Sequence, residues 1–295
     1  MDSRPDPACV LCGGHDFRPL LRGADMEASR FFRCRACTLL QMRPMPTDRE
    51  LFDYYQRYDI VGEHYPYFAA LWRPDALDTP EGREIRERAG LVLAATPRPQ
   101  RVLEVGSGHG LFLKVLVDAG VHAEGVELSA RAAERSRAAH GVTVHAGTLD
   151  SVPGSTFDAI AMWDLLEHVA DPHGLVAQAA ARLSPGGRLF VETPDEAALL
   201  DRTILALHRL GVSWPARQFY GTHHLVLFRR ASIRRLLEQH GFVVEGITGA
   251  STYVARSFSG SGLKARASRL FLGALFALAK LVGRQNKMIV VAKKR

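Results

Sequence analysis

Three glycines at alternate positions, Gly106, Gly108 and Gly110, follow a short apolar run. The run Val102–Val105 predicts a buried parallel strand, and the apolar residues that begin at Leu111 predict a helix directly after the glycines. Glycine lets the backbone turn sharply and lie against a ligand with no Cβ in between. The third glycine falls one position too early for the G-x-G-x-x-G spacing of dinucleotide sites, which weakens a pyrophosphate interpretation.

A carboxylate, Glu127, ends the next predicted strand, which begins at Val121. In nucleotide-binding βαβ units the acidic residue at this place accepts hydrogen bonds from the hydroxyls of a ribose. Ribose recognition without a pyrophosphate turn implies a nucleoside that carries no phosphate.

The order E-x-G-x-G-x-G, which starts at Glu104, followed by an acidic residue at the end of the second strand, resembles the class I S-adenosylmethionine (SAM) dependent methyltransferases. The resemblance implies an α/β, Rossmann-like sheet of seven strands with SAM as cofactor. An ordinary βα turn and a solvated strand end are the alternatives. The SAM-binding residues that it implies are Glu104, Gly106, Ser107, Gly108, Gly110, Glu127, Leu128, Thr148, Leu149, Trp163 and Asp164.

The segment after the fourth predicted strand carries the next motif of this family. Phe157–Met162 predicts the strand, and Trp163-Asp-Leu-Leu-Glu-His168-Val-Ala-Asp-Pro172 resembles the methyltransferase pattern of a strand, LEH and DP. Open α/β sheets bind ligands where the strand order reverses, at the carboxyl ends of strands. Trp163 and Asp164 are therefore expected to border SAM and His168 the acceptor, although a structural role for a lone histidine stays open. Thr148 and Leu149 contact the adenine or form an ordinary turn.

All four cysteines lie in the first 37 residues, as the pairs Cys9/Cys12 and Cys34/Cys37 with 21 residues between them. Two C-x2-C pairs at this spacing can bring four thiolates to one tetrahedral ion, whereas a cytosolic protein has little use for two disulfides. We therefore predict a zinc ribbon over residues 1–46, with a structural zinc ion because all four ligands come from the protein. A redox pair or scattered buried thiols is the alternative.

Residues 194–230 form an insertion that is longer than an ordinary βα connection. Its stretch Tyr220-Gly-Thr-His223-His224-Leu-Val-Leu-Phe228 resembles the Tyr/Glu-His segment of zinc-containing sugar C-methyltransferases, which also carry four N-terminal cysteines. Long insertions at this edge usually cover the acceptor. Because a histidine can remove a proton from the acceptor as it attacks, we expect His224 or His168 to act as a base and Tyr220 to orient the acceptor. His223 stands where that family has glutamate, so O-, N- and C-methylation all remain open.

The remaining elements position these residues. A capping box at Thr47–Glu50 opens an aromatic-rich helix, and we divide the chain into a helical linker or lid, 47–98, and a methyltransferase domain, 99–295. The aromatic residues of the linker either pack between ribbon and core or line an acceptor pocket. They are Tyr54, Tyr55, Tyr58, His64, Tyr65 and Tyr67.

Residues 263–283 predict a basic amphipathic helix. At 100° per residue, Arg266, Arg269 and Lys280 fall within an arc of roughly 60°, opposite Phe271 and Leu278. Packing on the domain or on a partner is one interpretation. Peripheral membrane contact, which would suit a lipid-linked acceptor, is the other.

Chain length, net charge and the distribution of apolar residues limit the functions that the protein can have. The 295 residues suffice for one α/β domain plus extensions, and 38 basic against 31 acidic residues give a net charge of +7. We expect a cytoplasmic protein, since the first residues are polar and no uncharged apolar run reaches about 18 residues. The favoured hypothesis is methyl transfer from SAM to a small molecule: a sugar, a polysaccharide precursor or a secondary metabolite. The alternatives are an RNA methyltransferase that binds nucleic acid through its ribbon and positive charge, and a binding module without catalytic activity.

Overall fold

The computed structural model of the chain describes residues 8–21, 30–56, 69–154, 156–220, 224–252 and 262–295. Within these ranges the strands form two sheets, one of four strands and one of seven. In chain order the strands are β1 (Phe17–Pro19), β2 (Phe31–Cys34), β3 (Leu40–Met42), β4 (Arg101–Val105), β5 (His122–Glu127), β6 (Thr143–Ala146), β7 (Phe157–Trp163), β8 (Leu183–Pro194), β9 (Val226–Leu227), β10 (Phe242–Ala250) and β11 (Lys287–Lys294).

The helices lie mostly between successive strands of the larger sheet. They are α1 (Asp48–Tyr55), α2 (Pro80–Leu93), α3 (Leu111–Asp118), α4 (Ala130–His140), α5 (Pro172–Arg182), α6 (Leu199–Arg209), α7 (Trp214–Tyr220), α8 (Arg230–Gln239) and α9 (Leu263–Leu281). Short turns of 3-10 helix occupy Ala76–Asp78, Leu149–Ser151 and Leu166–His168.

The seven-stranded sheet has the order β10-β11-β8-β7-β4-β5-β6. Strands β4 to β8 run parallel, and β11 lies antiparallel between β8 and β10. From β4 the chain proceeds to β5 and β6 on one side and then returns to β7 on the other. The strand order therefore reverses beside β4, and the predicted Rossmann-like sheet of seven strands is confirmed.

Both faces of the central strands are buried, as their continuous apolar runs predict. Along β4, Leu103 and Val105 enter one core cluster whereas Val102 enters the cluster on the opposite face. Along β7, Ile160 and Ala161 divide in the same way. This alternation is the two-residue period of a strand that is covered by helices on both sides.

The four-stranded sheet extends the predicted ribbon with a strand from far along the chain. Its order is β1-β2-β3-β9, and β3 pairs antiparallel with β9 in the register Leu40 to Leu227 and Gln41 to Val226. Two cysteines of the ribbon, Cys9 and Cys34, share a core cluster with Leu225 of the insertion. The ribbon predicted for residues 1–46 is thus packed into the rest of the protein.

The linker begins as predicted. Thr47 Oγ1 accepts a hydrogen bond from Glu50 N, and Glu50 Oε2 accepts one from Thr47 N at 2.7 Å, which completes the capping box of α1. Tyr54 and Tyr55 lie on α1. The other aromatic residues expected to pack or line a pocket, Tyr58, His64, Tyr65 and Tyr67, lie outside the described residues.

The amphipathic helix α9 packs against α6 with only part of its apolar surface. Ala279 is buried, whereas Leu270 and Leu281 are 76% and 85% exposed. Among the described residues, no helix combines the length and the apolar character that crossing a bilayer requires.

Candidate active site

A cleft of about 1860 Å³ lies at the carboxyl ends of β4, β5, β6 and β7. Its walls also include residues of α1, α6 and α9. Typical small-molecule pockets measure about 300 to 1,000 Å³, so the cleft has room for a cofactor and a second molecule together. Its position at the reversal of the strand order is where open α/β sheets bind their ligands.

The glycine turn after β4 forms one end of the cleft. Gly106 and Gly108 have φ values of +75° and +50°, a backbone conformation that L side chains rarely adopt. A Cβ on Gly106 would lie 3.0 Å from Leu165 Cδ1, whereas a Cβ on Gly108 would meet no atom of the described residues within 4 Å. The backbone at Gly108 is therefore open to a ligand.

Gly110 does not line the cleft, although the family pattern implied it for SAM. Its φ is +75°, and a Cβ there would lie 2.5 Å from Ser136 Oγ on α4. Its lack of a side chain therefore allows α3 and α4 to approach each other.

Glu127 joins the end of β5 to the glycine turn. Its Oε2 accepts a hydrogen bond from Gly108 N and its Oε1 accepts one from Ser129 N, each at 2.9 Å. A carboxylate oxygen can accept more than one hydrogen bond. Because Glu127 lines the cleft, its carboxylate is placed to accept from the hydroxyls of a bound ribose while the backbone holds it in position.

Two buried polar atoms beside the turn have no hydrogen-bond partner among the described residues: Glu104 Oε2 and Ser107 Oγ. Burial holds the pKa of Glu104 well above its usual value; the charge of Arg88 opposes this shift, and the charge of Glu127 adds to it. Buried polar groups without partners are rare and costly. A ligand with polar atoms at this end of the cleft would satisfy them, so the site fits the aminoacyl and ribosyl parts of SAM.

Apart from Gly110, every residue that the family pattern implied for SAM lines this cleft. Trp163 is buried, and its ring lies 5.5 Å from that of Phe112. The end of β6 is tied to β5 by a hydrogen bond of 2.8 Å from Gly147 N to Glu127 O. The lining residues concerned are Glu104, Gly106, Ser107, Gly108, Glu127, Leu128, Thr148, Leu149, Trp163 and Asp164.

A buried ion cluster, which the sequence did not reveal, surrounds Asp164. Its carboxylate lies 2.6 Å from Arg88 Nη2 and 2.8 Å from Lys287 Nζ. Arg88 and Lys287 also contact Glu84 and Glu192. Burial opposes ionisation of Glu192, but Lys287 and Arg88 nevertheless lower its pKa. Asp164 also lines the cleft, where a carboxylate favours a cationic ligand such as a sulfonium.

The histidines expected at the acceptor end come together. The rings of His168 and His224 lie 4.9 Å apart between centroids, and both line the cleft. Glu167 is buried beside them and accepts a hydrogen bond of 2.9 Å from Thr193 Oγ1. Burial and then the charge of Asp164 raise the pKa of Glu167 to about 8. His223 lies outside the described residues.

Tyr220, like Gly110, is a predicted site residue that does not line the cleft. It is 1% exposed, packs edge-on against Phe31 of the ribbon, and donates a hydrogen bond of 3.0 Å to Asp201 Oδ1. The expectation that Tyr220 orients the acceptor is therefore not supported. The sequence placed it near His224, but α7 ends there and its last residue faces the core.

Besides Glu84, Asp164 and Glu192 of the ion cluster, two groups of side chains in the described part of the chain lie close enough to share a metal ion. The first consists of the four cysteines, whose sulfurs all lie within 4.8 Å of one another. Cys9 Sγ is 3.4 Å from Cys37 Sγ, and Cys12 Sγ is 3.6 Å from Cys34 Sγ. Tetrahedral zinc with bonds of about 2.3 Å separates its sulfurs by roughly 3.8 Å, so the four thiols fit zinc. The second group is Glu167, His168 and His224.

Comparisons with known proteins agree with this geometry. A family model described as a methyltransferase domain matches residues 79–246. The ubiquinone biosynthesis O-methyltransferase of Xylella fastidiosa is 34% identical over 163 residues, which cover 50% of this chain and 63% of that protein. Its counterpart in Xanthomonas axonopodis pv. citri is 31% identical over 52% of this chain and 66% of its own length. The matched region thus spans less than two thirds of these relatives.

Solved structures share the fold at lower sequence identity. Magnesium protoporphyrin IX methyltransferase from Synechocystis PCC 6803, with bound SAH, is 16% identical with a TM-score of 0.57, over 84% of this chain and 100% of that one. A SAM-dependent methyltransferase from Thermotoga maritima is 20% identical with a TM-score of 0.53, over 83% of this chain and 100% of that one.

Proposed function

This chain belongs to the SAM-dependent methyltransferase family whose domain model matches residues 79–246, and on that premise we propose that it methylates a hydroxyl oxygen of a small molecule with a large apolar part. The observation that carries this proposal is the composition of the cleft lining. It combines the glycine turn and Glu127, the histidine pair, and a set of apolar side chains from α6 and α9. The relatives named above are O-methyltransferases of ubiquinone biosynthesis, which supports oxygen as the acceptor atom.

The apolar part of the cleft, which side chains of α6 and α9 form, favours an acceptor with hydrocarbon surface. A bare sugar placed there would leave its hydroxyls without partners, which costs free energy for each unpaired group. A sugar or polysaccharide precursor linked to a lipid, or a ring compound with an apolar chain, would bury its hydrocarbon part instead. The apolar lining residues are Leu200, Ile204, Leu207, Phe271, Leu272, Leu275 and Phe276.

The protein's own residues would act mainly by positioning and by removing a proton. Bound SAM supplies an activated methyl group on a cationic sulfonium. Glu127 would hold the ribose, and the carboxylate of Asp164 at the cleft wall would favour the sulfonium. His168 or His224 would accept the hydroxyl proton as the acceptor oxygen attacks. The four cysteines would hold a structural zinc ion.

The histidine assignment is tested with methyl-labelled SAM and a panel of acceptors, from free sugars to phenols that carry alkyl chains. Loss of the base should lower turnover by about 10² to 10⁴-fold while the dissociation constant of SAM stays unchanged. His122 is exposed at the start of β5, so His122→Ala is a matched control for His168→Ala and His224→Ala. Wild-type turnover in both of the latter variants would reject a histidine base.

The histidine pair and its neighbour Glu167 could also have a different role. Glu167, His168 and His224 could hold a divalent cation that polarises the acceptor hydroxyl, because carboxylate and imidazole are ordinary ligands of such ions. Dialysis against EDTA separates the roles. Activity that is lost and then restored by Mg²⁺ or Mn²⁺ supports the cation, whereas activity that persists in EDTA supports the histidine base.

We also propose that the apolar rim of the cleft contacts a membrane surface. Trp214 is 63% exposed and lines the cleft, and Leu281 of α9 is 85% exposed. Arg209 of α6 and Lys280 of α9 are also exposed, and basic residues together with apolar ones favour anionic lipid.

This contact is tested by co-sedimentation with vesicles. Binding to vesicles that contain phosphatidylglycerol, but not to pure phosphatidylcholine, is expected, and the pair of changes Trp214→Ser and Leu281→Ser should abolish it. Val243 is exposed on β10, and Val243→Ser serves as the control. Failure of the unaltered protein to sediment with either vesicle would contradict the proposal.

A further inference from the structure

The short strand β9 lies between the ribbon and the turn that carries His168. Leu225, the residue after His224, is buried and has both backbone polar groups engaged. Its N–H donates to Glu167 O at 2.8 Å, and its carbonyl accepts from Met42 N at 2.7 Å. The backbone beside one histidine of the pair is thus bonded directly to the residue before the other histidine and to strand β3 of the ribbon.

Strand β3 is in turn bonded to the loop that carries the first two cysteines. Gln41 is fully buried, its Oε1 accepts a hydrogen bond of 3.0 Å from Val10 N, and its Nε2 donates one of 3.3 Å to Ala8 O. Val10 lies between Cys9 and Cys12. A single glutamine side chain therefore connects the cysteine loop to the strand that pairs with β9.

A second connection runs from β2. Arg33, the neighbour of Cys34, donates from both terminal nitrogens to the buried carboxylate of Glu196, with Nη1 to Oε2 at 3.1 Å. The backbone N–H of Glu196 donates to Phe228 O at 2.9 Å, directly after β9. Paired hydrogen bonds from a guanidinium to a carboxylate fix orientation as well as distance. Residues 224–228 are therefore bonded to the ribbon on two sides.

We propose that the four-cysteine ribbon is the positioning element of the acceptor side of the active site: through Gln41 and Arg33 it holds residues 224–228 so that His224 faces His168. Gln41 and Arg33 are positioning residues and touch neither SAM nor acceptor. The expected effect on catalysis rests on the proposed function of the histidine pair. The expected effect on structure, an ordered segment 224–228, is independent of that function.

Amide hydrogen exchange of the full-length protein, as purified with its metal content measured, tests the structural part. Gln41→Met removes both hydrogen bonds at nearly constant volume, and Gln100→Met makes the same change at an exposed site. Peptides covering 224–228 should exchange at least about 10-fold faster in Gln41→Met, whereas peptides covering 101–127 should keep their rates. Unchanged exchange at 224–228, or a parallel rise in 101–127, would overturn the proposal.

Kinetics test the catalytic part. Gln41→Met should lower kcat/KM for the acceptor about 10- to 100-fold with the dissociation constant of SAM within twofold of wild type, because small displacements of a reacting group have effects of this size. In a His224→Ala background, Gln41→Met should cause no further loss of kcat/KM for the acceptor. If His224→Ala alone leaves turnover unchanged, His224 is not the base and the catalytic part fails, while exchange at 224–228 still decides whether the ribbon orders the segment.

A second variant keeps the test informative if Gln41→Met does not fold. Arg33→Met breaks the contact with Glu196, and Arg35→Met, at an exposed pair with Asp16, is its control. Arg33→Met should reproduce the faster exchange and the selective loss for the acceptor, and Arg35→Met should do neither. Loss of SAM affinity in proportion to activity in Arg33→Met would show general destabilisation and overturn the positioning role.

Discussion

The change Glu127→Gln tests the cofactor site most directly. It keeps the size of the side chain but replaces one acceptor oxygen with an NH2 group and removes the charge. In the structure both oxygens already accept backbone N–H bonds, from Gly108 and Ser129. The new NH2 group must therefore face a backbone donor or a ribose hydroxyl that needs an acceptor, and at least one hydrogen bond is lost.

The expected magnitude follows from the kind of bond that is lost. Hydrogen bonds to a charged group contribute about 1.5 to 3 kcal/mol, and each 1.4 kcal/mol is a factor of ten in affinity. The dissociation constant of SAM should therefore rise by roughly 10- to 150-fold. The free energy of unfolding without ligand should fall by a smaller amount, because only one backbone bond between β5 and the glycine turn is weakened.

Isothermal titration calorimetry with SAM measures the effect, and urea titration of the same preparation measures stability. Glu134 is exposed on α4, so Glu134→Gln is the matched control and should leave both quantities unchanged. A dissociation constant within threefold of wild type in Glu127→Gln would refute the ribose-binding role of Glu127 and, with it, the orientation of SAM inferred for the cleft.

Three further changes test packing and protonation. Gly110→Ala should lower the free energy of unfolding, measured in urea, by about 2 to 5 kcal/mol, because an alanine there is strained by the left-handed backbone and also overpacks against α4. Gly120→Ala introduces the backbone strain alone and should lower the free energy of unfolding by about 1 to 2 kcal/mol. Equal losses in the two variants would contradict the close approach at Gly110. Burial and the neighbouring carboxylates hold the pKa of Asp201 well above its usual 3.8. The folded state thus keeps a proton that the unfolded chain releases, stability falls as pH rises above about 4, and Asp201→Asn should flatten this dependence in urea titrations from pH 5 to 8; an unchanged slope would contradict it. Tyr220→Phe should cost about 0.5 to 1.5 kcal/mol of stability and leave turnover per folded enzyme unchanged; a selective loss of turnover would restore an acceptor role for Tyr220.

The sequence alone determined the local features of this protein. Strands with continuous apolar runs, the glycine turn after β4 and the acidic end of β5 are all short-range patterns, and each gave the correct element in the correct order. The two cysteine pairs likewise predicted a cluster that the structure brings together. Such patterns are legible because their physical causes, backbone conformation and the two-residue period of a buried strand, act between neighbours in the chain.

Only the tertiary structure decided which distant residues share a site. Strand β9 is two residues long, too short for any periodic signal, and it forms because β3 offers an open edge. The cluster of Arg88, Asp164 and Lys287 joins a helix, a strand end and the last strand, and nothing local marks its members. Tyr220 likewise turns to the core because Asp201 offers a buried acceptor. Strand pairing, buried charge and side-chain direction depend on partners that folding supplies, so they are settled by the assembled structure.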